Sequence, residues 1–272
     1  MCSDDRRTVL GLYRSGPDRD LLGRALELGV TRLDTAFNYQ RFAAHRSLAD
    51  TAGDLLASFE VSTKVGFFPD GHDLSPERLR AAVRKIPEEL GCVPSTVLLH
   101  NPECSADGFE EACTTLSEMR DAGYCRAWGF SSWDPRSLAD RDWPVPRPDL
   151  VMVRAGLSVP APVLDAAGRL VRRVGARAVW GMAPFGGDAA GPLWSEIDTS
   201  LFLAPGQQAS RVQAGVAAAW VVPVVERLAV GTSSPTHLEE IVQAESLTVS
   251  TSTVDRYRAL LRRRAERADT AS

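Results

Sequence analysis

Residues Gly29 to Tyr39 read GVTRLDTAFNY: a short apolar run that ends on the carboxylate of Asp34 and is followed five residues later by a phenol. The run itself, Val30 to Asp34 (VTRLD), is bounded by turn chemistry, as a short buried strand would be. Two similar runs follow within the first hundred residues. Val61 to Lys64 (VSTK) ends on an ammonium, and Thr96 to His100 (TVLLH) ends on an imidazole. Consecutive buried strands that each close on an ionisable side chain match the carboxyl face of a β/α barrel, where that fold does its chemistry. Tyr39 falls in the loop that such a barrel lays over the same face.

Working outward, strand-like and helix-like periods alternate along almost the whole chain. Val9 to Leu12 reads as a first strand, and Asp18 to Leu28 as a helix that closes on Gly29. Arg46 to Ser58 reads as a second helix. Ser75-Pro76-Glu77 is a helix start, with Ser75 as N-cap, and that helix runs to about Leu90. Phe109 to Ala122 is the next helix, Ala127 to Phe130 the fifth strand, and Leu150 to Val153 the sixth, after a Trp/Pro-rich connection. Pro162 to Val174, Ser210 to Val222 and Pro235 to Ala244 are helical. Ala178 to Met182 and Leu228 to Val230 are the last strands. Residues 254–265 form a basic terminal helix whose Arg262 to Arg264 run is a solvated face. Strands and helices alternating in this order predict an α/β fold, a single-domain (β/α)8 TIM barrel over residues 1–272. The competing doubly wound sheet would need a G-x-G-x-x-G after the first strand, and the sequence has none.

The bulk properties agree. The chain has 272 residues, 44% hydrophobic and 24% charged, with a formal net charge of −4, which argues against nucleic acid or an anionic membrane as partner. The longest apolar stretch, Ala214 to Val225, contains Pro223 and falls short of the roughly 20 residues a bilayer needs. No secretory h-region opens the chain, and Cys2, Cys92, Cys104, Cys113 and Cys125 form an odd set without a C-x-x-C pair. They read as reduced thiols in a cytoplasm. Pro102 separates His100 from Cys104, so this spacing does not make a metal site on one helical face.

In a barrel, Asp34, Lys64 and His100 would meet at one rim with Tyr39 above them. An ammonium beside a phenol favours the phenolate, and a carboxylate keeps that ammonium charged and oriented. Tyr39 would then serve as a general acid toward a developing alkoxide, with His100 polarising the same oxygen. The carbonyl carbon needs a hydride that side chains do not supply, which implies a nicotinamide.

The segments Gly29 to Tyr39, Ser62-Thr63-Lys64, Leu98 to Pro102 (LLHNP), Gly123 to Ser132 (GYCRAWGFSS) and Gly231 to Glu240 (GTSSPTHLEE) resemble, in this order, the aldo-keto reductase family. The resemblance implies Asp34, Tyr39, Lys64 and His100 as a catalytic tetrad and NADPH lying across the carboxyl face, with NADH not excluded. It implies a small-molecule carbonyl substrate and leaves the oligomeric state open. Cofactor contacts carry over to Ser131, Ser132, Met152, Met182, Ala183, Phe185, Gly231, Thr232, Ser233, His237 and Glu240.

Several of these depart from the family pattern, among them Gly231, which stands where many members carry a lysine and so weakens a strong preference for NADPH over NADH. Ser132 stands where Asn is usual, Met152 where Gln completes the amide contact, and Met182 where an aromatic ring often stacks on the nicotinamide. Methionine cannot make glutamine's hydrogen bonds. That loss leaves two alternatives on the same scaffold: a non-redox acid/base enzyme (an isomerase or dehydratase) and a non-catalytic nucleotide-sensing subunit. Trp133 could line the substrate pocket, and Trp194 and Phe202 could be either a lid or loop anchors.

Overall fold

The structure is a computed structural model that describes residues 6–187, 194 and 196–270. Cys2 and residues 188–193 and 195 of the loop after the seventh strand lie outside the described residues. Eight parallel strands close into one barrel in chain order. They are β1 (Thr8–Gly11), β2 (Arg32–Asp34), β3 (Glu60–Val65), β4 (Thr96–His100), β5 (Ala127–Ser132), β6 (Leu150–Arg154), β7 (Ala178–Met182) and β8 (Arg227–Gly231). Pairing of β1 with β8, from Thr8 opposite Leu228 to Gly11 opposite Gly231, makes the closure. The single-domain barrel expected from the sequence is the fold observed.

Strand alternation divides the core into two layers. Val9, Leu98, Leu150, Met152 and Ala229 fill the barrel interior. Leu33, Val61, Val97, Leu99, Trp128, Phe130 and Val151 face outward, packed with Leu21, Leu79, Ile86 and Leu116 of the surrounding helices. Those helices start and stop on local chemistry. In α1 (Arg19–Glu27), the Asp18 side chain accepts the Leu21 N–H at 2.8 Å. The third helix, α3 (Pro76–Leu90), carries Pro76 in its first turn and ends on a left-handed Gly91; Ser75 precedes it without a side-chain cap bond.

Several elements differ from expectation, among them a short helix, Arg136–Ala139, inside the Trp/Pro-rich connection. The helix read over 46–58 is α2 (Ala44–Ala52) followed by a 3-10 segment, Gly53–Ser58. Gly53, at φ 52 and ψ −121, leaves helical geometry, while Leu55 and Leu56 continue the apolar period past the break. A small hairpin after β3 pairs Phe67–Phe68 with Gly71–His72; the Pro69-Asp70-Gly71 turn makes it possible.

After α4 (Phe109–Asp121) and the short α5 (Arg136–Ala139) come α6 (Ala161–Val174), α7 (Arg211–Ala219), α8 (Pro235–Gln243) and α9 (Thr251–Thr270). α9 docks on the barrel through a Tyr257 hydroxyl bond to the Leu157 carbonyl and an Arg262–Asp165 ion pair at 2.7 Å. Trp194 is buried, donating to the Phe185 carbonyl at 2.9 Å, and Phe202 packs on Tyr257. Both are anchors of the loop. None of the described helices is long and apolar enough to cross a membrane.

Candidate active site

Asp34, Lys64 and His100 stand at or near the carboxyl ends of the adjacent strands β2, β3 and β4. Lys64 is almost fully buried, and its Nζ donates to Asp34 Oδ2 at 2.5 Å and to the Thr35 carbonyl at 3.0 Å. The Ser62 hydroxyl lies 3.1 Å from Asp34 Oδ1, so both carboxylate oxygens are engaged. An ammonium buried alone would cost several kcal/mol, and the carboxylate is what makes this position tenable. Burial lowers the Lys64 pKa, but the neighbouring Asp34 and Tyr39 outweigh it and hold the group above its ordinary value.

Tyr39 hangs from the connection between β2 and α2. Its ring centroid is 5.5 Å from Lys64 Nζ, 5.8 Å from the His100 ring and 4.9 Å from the Tyr13 ring. The expectation that Lys64 would lower its pKa is met only as one contribution. Burial is the larger effect, Asp34 and Tyr13 add to it, and the phenol is pushed above its ordinary value. Tyr39 therefore keeps its proton at neutral pH, which is the state an acid must be in before it reacts.

His100 Nδ1 lies 3.2 Å from the Asn38 side-chain amide oxygen. An amide can present either its oxygen or its NH2 to the ring, and that choice sets which ring nitrogen carries hydrogen. With the oxygen at Nδ1, Nδ1 carries the hydrogen and Nε2 is bare; with the amide turned so that its NH2 faces Nδ1, Nε2 is the protonated nitrogen and able to donate. The Phe67 ring packs edge-on at 5.0 Å, and His72 Nε2 sits 2.9 Å from the His100 carbonyl oxygen. Burial, then the Lys64 and His72 charges, hold the His100 pKa well below its ordinary value, so the imidazole is neutral.

These four residues open onto one cavity of about 900 Å³. Met182, Ala183, Phe185, Gly231, Thr232 and Ser233 line it too, so the structure brings these six expected cofactor positions together with the tetrad. The other five are not among its lining residues. Met152 is fully buried in the barrel interior among Val9, Leu98 and Leu150, because its place on β6 points it into the core. Ser131 is buried, with Oγ 3.5 Å from the Leu99 carbonyl. Strand alternation turns Ser132 outward with Trp128 and Phe130, and its buried hydroxyl faces the Glu103 carboxylate. His237 is exposed in the first turn of α8, its N–H directed at the Ser234 hydroxyl, and Glu240 lies one turn further on, half-buried.

The sequence reading did not name Gly11, Tyr13, Arg14, Asn38, Phe67 and Asn101, which also line the cavity. Their signal is position alone: each lies at or just after the end of a barrel strand. Trp133 does line the cavity. Glu103 braces it: the carboxylate accepts the N–H groups of Trp133 at 2.6 Å and Asp134 at 2.8 Å, and burial pushes its pKa up.

Residues 18–159 match the model of the aldo/keto reductase family. The fold is similar to that of aldo-keto reductase AKR11C1 from Bacillus halodurans in its holo form, with a TM-score of 0.73 at 21% identity over 94% of this chain and 91% of that one. Aldose reductase from Giardia lamblia gives a TM-score of 0.70 at 14% identity, over 95% and 92% of the two chains. Aldose reductase from Schistosoma japonicum gives 0.65 at 17%, over 93% and 87%. No curated protein matches the sequence. The structural likenesses, at these identities, speak for the fold, whereas the family model reads the sequence itself and spans more than half of it. The chain belongs to the aldo/keto reductase family.

Proposed function

We propose that the protein reduces an aldehyde or ketone to an alcohol with NADPH, and that Tyr39 is the general acid. Membership of the family makes the chain an oxidoreductase of the nicotinamide-dependent, carbonyl-reducing type. The observation that carries the finer reading is a protonated Tyr39 beside a charged Lys64 and a neutral His100, in one cavity that continues to Gly231–Ser233.

The residues fit an extended dinucleotide at its phosphate end. Gly11 and Gly231 pair in register on the cavity wall, and a Cβ on Gly231 would stand 3.3 Å from the Gly11 carbonyl oxygen. Thr232 and Ser233 offer hydroxyls there, and the α8 N-terminus, capped by Ser234, directs its positive end to the same place. His237, exposed in that first turn, would be the group to meet a 2′-phosphate, and NADPH is the cofactor proposed on that reading. At the nicotinamide end Met182 supplies an apolar surface. Bound there, the reduced cofactor would supply hydride for the carbonyl carbon. His100 orients the carbonyl oxygen by hydrogen bonding, and Tyr39 Oη delivers its proton to that oxygen. Lys64, fixed by Asp34, stabilises the phenolate left behind.

Met152 and Ser132, both buried away from the cavity, favour one competing reading, a cofactor-free acid/base enzyme. Titration with NADPH and NADH, followed by tryptophan fluorescence, separates the two. The six tryptophans include Trp133 in the cavity. Micromolar NADPH binding, tighter than NADH, is expected; absence of binding at millimolar concentrations of both would sink the reductase reading. The free thiols of Cys92, Cys104, Cys113 and Cys125 support a cytoplasmic setting.

A further inference from the structure

The hairpin after β3 brings His72 beside the end of β4, the strand that carries His100. His72 Nε2 lies 2.9 Å from the His100 carbonyl oxygen, and its Nδ1 lies 2.9 Å from the Ser105 hydroxyl. A carbonyl oxygen can only accept, so Nε2 carries the hydrogen and donates it. Nδ1 is then the bare nitrogen and accepts from Ser105. One neutral tautomer satisfies both contacts, and burial holds the ring toward its neutral form. His72 is not among the residues lining the cavity, so it acts on the reaction only through what it holds.

Three segments meet on this ring: the hairpin, the end of β4 and the 3-10 loop Pro102–Gly108 that follows it. The approach is close enough to need a glycine. Gly66 sits at φ 134, and a Cβ there would stand 3.3 Å from His72 Nε2 and 3.4 Å from the His100 carbonyl oxygen. The Phe67 ring lies edge-on to both imidazoles, 4.6 Å from His72 and 5.0 Å from His100. The hairpin has other anchors of its own. Arg78 of α3 pairs with Asp70 at 2.5 Å and Asp73 at 3.2 Å and lies over the Phe68 ring, and the Asp73 N–H donates to the Gly66 carbonyl at 2.8 Å. The two hydrogen bonds of His72 go instead to the end of β4 and the loop beyond it.

We propose that His72 is a positioning residue for the reduction: by donating to the His100 carbonyl while accepting from Ser105, it fixes the main chain from which the His100 ring reaches the substrate oxygen. Asn38 holds that ring at Nδ1, and His72 holds the backbone behind it. A catalytic group displaced by about 1 Å can cost about 10²-fold in rate, so a strand end left free to shift matters. The inference rests on the reductase reading and deepens its account of His100.

The test is reduction of 4-nitrobenzaldehyde with NADPH by the wild type, His72→Leu and His72→Gln, with NADPH affinity by fluorescence and urea midpoints measured alongside. Glutamine places an amide N–H where His72 Nε2 donates, whereas leucine fills the space and donates nothing. His72→Leu is expected to lower kcat about tenfold or more, with NADPH affinity within about twofold of the wild type. His72→Gln should recover most of that loss. In nitrogen-15 NMR spectra of the wild type, which has only four histidines to assign, His72 should carry its hydrogen on Nε2 and none on Nδ1. That measurement, with the glutamine variant, decides the matter if His72→Leu does not fold. An unchanged kcat in His72→Leu, a glutamine variant as slow as the leucine one, or a hydrogen on Nδ1 overturns the proposal. So does a loss confined to the urea midpoint, which would make His72 a residue of the fold alone. If the wild type does not reduce the aldehyde, the reductase reading itself fails and takes this inference with it.

Discussion

Lys64 is held in its charged state by Asp34, and that pairing is a matter of stability as much as catalysis. Removing one partner leaves the other charge buried, so Lys64→Met and Asp34→Asn should each destabilise the fold by about 3 kcal/mol. The double variant should lose less than the sum, which denaturant midpoints will show. His100 titrates well below the ordinary histidine range, chiefly because it is buried, and Tyr39 is pushed above its own for the same reason. Both therefore keep a single protonation state around neutrality. The pH profile of kcat/KM for reduction is expected to be flat between about pH 6 and pH 8, and an inflection near the ordinary histidine value of about 6.5 would contradict the placement of His100. With its NH2 turned to Nδ1, Asn38 would fix the donating Nε2–H tautomer of that ring, and on that reading Asn38→Leu should lower kcat about tenfold or more while leaving the fold intact by circular dichroism.

The strand ends were legible in the sequence because Asp34, Lys64 and His100 each terminate a branched apolar run, and such runs are unmistakable in a barrel. The loops that complete the cavity were not. Tyr13, Arg14, Asn38 and Asn101 sit where no periodicity operates, and only the geometry of closure brings them onto one wall. The helix over 46–58 was overextended for a related reason: Leu55 and Leu56 keep the apolar spacing while Gly53 breaks the backbone. Register also places constraints that no pattern reveals. A Cβ on Gly129 of β5 would come within 1.7 Å of the Leu150 carbonyl oxygen on β6, where the two strands pair. Gly129→Ala is expected to destabilise the protein by about 3 kcal/mol or more, or to abolish soluble expression. A variant with a wild-type urea midpoint would show that the β5–β6 approach is looser than described.

Three histidines of the folded barrel are held toward the neutral state by burial. His45 is buried against the Thr63 hydroxyl at 2.7 Å, with Glu89 and Lys85 nearby, and burial is the main cause of its lowered pKa. His72 and His100 are lowered for the same primary reason, so three of the four histidines resist protonation when folded. The unfolded chain takes up those protons near pH 6.5 while the folded one does not, so stability is full above that pH and declines as pH falls below it. Urea midpoints should drop between about pH 7 and pH 5, and a midpoint that rises on acidification would contradict this. Composition and strand order gave the barrel as a whole. These buried titrations emerge only from its packing.

The claim on which the rest depends is that Tyr39 donates the proton. The decisive measurement is Tyr39→Phe, followed as NADPH oxidation with a carbonyl substrate and, in parallel, as NADPH binding by fluorescence. The expected result is a fall in kcat of about 10²- to 10⁴-fold with cofactor affinity unchanged. Turnover close to wild type in this variant would contradict the account.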